Sequence, residues 1–94
     1  MIWDDLVEKM LKKIATELGL RISNVNRDSY ILSKDDITIG FTYFVNKEGK
    51  LKILMSPRGS GRPIDFGDYT MEDLKFENSN ARKVLTVRIR EALR

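Results

Sequence analysis

Apolar positions near the start of the chain recur at spacings of three and four. Trp3, Leu6, Val7, Met10, Leu11, Ile14 and Leu18 share one side of a helical projection. Glu8, Lys9, Lys12, Lys13 and Glu17 share the other side. The spacing predicts an amphipathic helix over residues 3–18. Asp4 and Asp5 suit its first turn, where they complement the helix dipole, and Gly19 suits a left-handed cap at its end. The charged face mixes both signs and reads as solvated surface.

The period then changes from helical to alternating. Residues 20–25 and 30–33 predict two short strands, with Asn26-Arg27-Asp28-Ser29 supplying turn chemistry between them. Ile37, Ile39, Phe41, Tyr43 and Val45 alternate with Thr38, Gly40, Thr42 and Phe44, which predicts a longer strand. Asn46-Lys47-Glu48-Gly49 closes a hairpin onto a returning strand at 51–55. Consecutive strands joined by short turns predict an antiparallel meander of three or four strands, with the first helix covering one face.

Residues 56–69 show no clear period and read as one long loop. Thr70 with Asp73, or Asp68 alone, caps a short helix ending near Phe76. Asn78-Ser79-Asn80 breaks that helix and starts the last element, residues 81–93. There Ala81, Leu85, Ile89, Ala92 and Leu93 share a helical side. Lys83 to Ile89 also alternates as a strand would, and helix is the favoured reading. The expected fold class is therefore α+β in one domain. It runs N-terminal helix, meander sheet, long Arg-Gly loop, short helix and basic C-terminal helix.

Composition narrows the chemistry more than it widens it. The chain has 94 residues, with 41% hydrophobic and 33% charged, which is ordinary globular material. It has no Cys and no His. That excludes disulfides, zinc sites built on those ligands, and Ser-His or Cys-His nucleophile pairs. No catalytic set, metal site or cofactor site is read from the sequence. No apolar run approaches the ~20 residues of a membrane span, and no secretory signal opens the chain, so a cytoplasmic protein without a membrane partner is expected. The many Lys, Arg, Glu and Ile residues resemble thermophile usage.

The net charge is +3 and the sequence pI about 9.3. The excess sits at the end of the chain, where Arg82, Lys83, Arg88, Arg90 and Arg94 stand against Glu91 alone. On a helical wheel Arg82, Thr86, Lys83, Arg90 and Arg94 fall within about 120° of one another. Such a stripe suits a phosphate backbone. A solvated helix ending in cations, which its dipole favours, accounts for the same residues.

The loop contains Pro57-Arg58-Gly59-Ser60-Gly61-Arg62-Pro63. Gly59 and Gly61 allow close backbone approach, and Arg58 and Arg62 offer guanidinium forks that match phosphate. The stretch resembles the Arg-Gly-Arg-Pro core of an AT-hook, interrupted here by Gly59-Ser60-Gly61 between its arginines. A flexible connection with solubilising arginines also explains it. Lys50 and Lys52 lead into the loop on one strand, beside Tyr43 and Phe44 of the partner strand. An exposed aromatic there could stack on a base. Lysines guarding a sheet edge are the plainer reading.

These features favour a small, non-catalytic nucleic-acid-binding protein, for DNA or RNA. Its contacts would be Arg58, Gly59, Gly61, Arg62, Lys50, Lys52, Arg82, Lys83, Arg90 and Arg94. The alternative is a protein-interaction module of the viral or plasmid accessory or inhibitor type. It would be a homodimer or bind an acidic protein surface. A third, weaker reading starts from Asp35 and Asp36 followed by Glu48-Gly49-Lys50. Their spacing is similar to the Asp…Glu-x-Lys of metal-dependent PD-(D/E)xK nucleases, with Glu8 or Glu17 as a further acid. Here the Glu-x-Lys falls in a turn instead of an apolar strand.

Overall fold

The computed structural model describes residues 2–57 and 62–94. The centre of the Arg-Gly stretch, Arg58-Gly59-Ser60-Gly61, lies outside the described residues. Helix α1 spans Ile2–Leu18. Five strands follow: β1 (Arg21–Asn26), β2 (Ser29–Lys34), β3 (Ile37–Val45), β4 (Leu51–Ser56) and β5 (Ile64–Tyr69). Two short helices complete the chain, α2 (Met71–Lys75) and α3 (Asn80–Ala92). The fold is α+β.

All neighbouring strands pair antiparallel in the order β1-β2-β3-β4-β5. The sheet therefore has five strands, one or two more than the alternation predicts. Residues 64–69, expected as loop, form the fifth. The reason lies in a bulge. Lys52 pairs with Asp68 and Leu54 with Asp65, so Ile53 alone faces the two residues Phe66 and Gly67. Gly67 takes φ +102°, which glycine adopts at low cost. The extra residue breaks the period of two, and the alternation disappears from the sequence.

One face of the sheet is buried. Tyr30, Leu32, Ile39, Phe41, Tyr43, Leu51, Ile53 and Met55 meet Val7, Met10, Leu11 and Ile14 of α1 in one hydrophobic cluster. Leu74 of α2 and Leu85, Ile89 and Leu93 from the C-terminal segment join it. The other face carries Ile31, Thr38, Thr42, Phe44, Lys52 and Leu54, and no described helix covers it.

Residues 80–92 are helical, as the 81-85-89 spacing favours. The Ser79 hydroxyl caps the helix by accepting from the Arg82 backbone N–H at 3.1 Å. Thr70 and Asp73 close a reciprocal capping box on α2, at 3.1 and 2.9 Å. No described helix is long and apolar enough to cross a membrane.

Candidate nucleic-acid interface

Antiparallel pairing settles which ends of the strands lie together. Arg21 pairs with Ser33, and Lys34 pairs with Ile37 across the Asp35-Asp36 turn. Gly40 pairs with Ser56, and Met55 with Ile64. The start of β1, the β2–β3 turn and both ends of the Arg-Gly stretch therefore share one end of the sheet.

Helix α3 finishes at that same end. Lys34, Arg90, Arg94 and Leu93 line a small cleft with Leu18 and Leu20, so α1 and α3 end side by side. A second, larger cleft of about 510 Å³ joins Pro57 and Ile64 to Arg88 and Glu91 of α3. Pro57 and Ile64, on either side of the Arg-Gly stretch, thus border the Arg88 flank of α3. Lys83, Arg90 and Arg94 lie within about 40° of one another on the helix projection, on the opposite flank of α3 from Arg88.

Several predicted contacts sit elsewhere. Lys50 lies in the β3–β4 hairpin at the opposite end of the sheet. There the Asn46 side-chain oxygen accepts the Glu48 and Lys50 backbone N–H groups, at 2.9 and 3.0 Å. Lys52 sits on the uncovered face beside Phe44, but its ammonium is held by Asp65 and Asp68, each at 2.7 Å. Hydrogen bonding to Asp65 and then to Asp68 raises the Lys52 pKa above the ordinary lysine value. The same pair lowers Asp65, helped by the Gly67 N–H. A cation matched by two carboxylates has little charge left for a phosphate.

Arg82 is 7% exposed, at the inner edge of the stripe. Its guanidinium donates to the Leu74 carbonyl at 3.1 Å. It does not reach the surface that Lys83, Arg90 and Arg94 share. Tyr43 is buried and its hydroxyl lies 2.9 Å from both the Asp4 carboxylate and the Arg27 carbonyl. Phe44 is therefore the exposed aromatic of that pair, at 48%.

Three cations absent from the sequence expectation belong to the shared end: Arg21, Lys34 and Arg88. Arg88 lies over the Phe66 ring, 5.4 Å from its centroid. Counting strand reversals from the hairpin turns would have located Arg21 and Lys34. Arg88 needed the position of β5.

The acidic groups of the nuclease reading do not converge. Asp35 and Asp36 occupy one end of the sheet, and Glu48 and Lys50 the other. The nine residues of β3 separate them, on the order of 30 Å at about 3.3 Å per residue. Among the described residues no cluster of Asp and Glu could hold a metal ion. Comparison with protein-family models, with curated proteins and with solved structures finds no match for this chain.

Proposed function

We propose that this protein binds nucleic acid through its phosphates, at the end of the sheet where the residues flanking the Arg-Gly stretch lie near the end of helix α3. The observation that carries the reading is topological. Strand reversal and the direction of α3 set Lys34, Arg90 and Arg94 along one cleft and Arg88 along another, on either side of the end of α3, with Arg62 in the connection that Pro57 opens. Arg58, Gly59 and Gly61 belong to the same connection by sequence. Asp35, Asp36, Asp65 and Glu91 lie near and reduce the field, so contacts are few and affinity depends strongly on salt.

Arg90 in the last turn of α3 also offsets the helix dipole. Binding at two salt concentrations separates the two roles. A surface engaging about four phosphates loses roughly two orders of magnitude in affinity between about 50 and about 200 mM salt. Titration of labelled duplex and single strands, DNA and RNA, measures this. Arg90→Ala/Arg94→Ala should lower the salt slope by about two, and Arg58→Ala/Arg62→Ala should weaken binding similarly. Absence of binding at low salt overturns the proposal.

A second reading rests on the uncovered sheet face. Ile31 and Phe44 are exposed there, and among the described residues both outer strands have unpaired edges. This surface supports a dimeric interaction module. Concentration-dependent sedimentation, with Phe44→Ser as control, distinguishes it.

A further inference from the structure

Helix α1 and the α2–α3 corner border a half-open cavity of about 730 Å³, away from the basic end of the sheet. Leu6, Met10 and Met71 give it an apolar wall, and Lys9, Lys13 and Lys75 stand around its mouth. Its volume lies in the range of small-molecule sites.

Arg82 also lines this cavity. Its position is electrostatically unfavourable in three ways. It is more than nine-tenths buried, yet no carboxylate of the described residues pairs with it. Its Nε is buried without any hydrogen-bond partner. It lies in the first turn of α3, at the positive end of the helix dipole. A buried, unpaired cation is among the costliest groups a fold can hold. Two carboxylates border the cavity, Asp5 and Glu77, and Glu77 is engaged by Lys13 at 3.2 Å. Neither pairs with the guanidinium.

We infer that this cavity binds a small amphipathic anion, an alkyl carboxylate. The carboxylate pairs with the terminal Nη groups of Arg82, one of which also donates to the Leu74 carbonyl, while Nε is closed to it. The alkyl chain covers Leu6, Met10 and Met71. Lys9 and Lys75 supply the outer field that draws the anion in. An inorganic anion alone would leave the apolar wall wet, and a neutral hydrocarbon would leave the guanidinium unpaired. The ligand chemistry must combine both parts.

The methionine methyl groups provide the test. Decanoate, decanol and acetate are titrated into protein with labelled methionine methyls, below the micellar concentration of decanoate. Decanoate should shift the Met10 and Met71 signals saturably and leave Met55, which lies by the other cleft, unmoved. Decanol and acetate should not saturate over the same range. Arg82→Gln should weaken decanoate at least tenfold. Should that variant not fold, Lys9→Gln/Lys75→Gln, altered only at exposed rim positions, should weaken it severalfold. Decanol binding as tightly as decanoate overturns the inference. So does Met55 shifting in step with Met10 and Met71, or unchanged binding by the rim variant.

Discussion

Asp65 and Asp68 are three residues apart on β5, yet both reach the Lys52 ammonium, at 2.7 Å each. In a regular strand an odd separation places side chains on opposite faces. The bulge at Phe66 and Gly67 adds one residue and returns Asp68 to the face of Asp65. The same feature that hides β5 from the sequence pattern builds its main polar contact.

Gly67 is therefore expected to be the most sensitive glycine of the sheet. Its φ of +102° strains any side chain, and an added Cβ would sit 3.7 Å from the Tyr69 hydroxyl oxygen. Gly67→Ala should cost about 1–3 kcal/mol from backbone strain. Thermal melting measures it, and an unchanged midpoint would show that the bulge carries no such constraint.

The acid response follows from Asp65 and Asp4. Lys52 holds Asp65 below the usual carboxylate range, and the Tyr43 hydroxyl, then Arg27, holds Asp4 below it. A lowered folded pKa gives stability that is present above the unfolded value and lost as pH falls through the folded one. The stability gap between wild type and Asp65→Asn should stay level around neutral pH. It should shrink below about pH 4. Lys52 has the opposite sign: its raised pKa gives stability present below the ordinary lysine value and lost on alkaline titration. Denaturant melts across pH measure both limbs.

The tyrosines predict a delayed alkaline titration. Burial raises the pKa of Tyr30, Tyr43 and Tyr69, and the Asp4 hydrogen bond raises Tyr43 further. A raised tyrosine pKa gives stability that is lost as pH climbs through the folded value. Tyrosinate absorbance should appear above pH 10.0, the ordinary value, and rise together with unfolding. Tyr43→Phe leaves the Asp4 carboxylate and Arg27 carbonyl without their shared proton donor, at a cost of about 1–2 kcal/mol.

Nucleic-acid binding should discriminate among lysines and arginines that look alike in the sequence. Lys52→Ala should leave affinity unchanged within about twofold, the scale of a surface charge with little net field. Lys34→Ala should weaken binding and reduce the salt slope by about one. Equal losses from both would contradict the placement of the interface. Each variant is measured by the same duplex titration at low salt.

The first helix was legible because its apolar positions follow one period without interruption from Trp3 to Leu18. The β3–β4 hairpin was legible because alternation and turn chemistry agree around Asn46 and Gly49. Strand β5 was not, since Asp65, Gly67 and Asp68 contradict strand propensity individually. Only pairing with β4 and the Lys52 contact make them acceptable. Among the proposed contacts, the stripe of Lys83, Arg90 and Arg94 could be read from helical spacing. The burial of Arg82 could not, because it depends on α2 lying across the start of α3.

The sequence by itself determined the α+β class, the amphipathic first helix, the longest hairpin and the concentration of positive charge at the end of the chain. Local periodicity and composition are enough for those. Tertiary structure decided which cations share a surface, which are neutralised and which are buried. Charge compensation depends on distances between segments remote in sequence, and neither the Lys52–Asp68 contact nor the unpaired Arg82 guanidinium has a local signature.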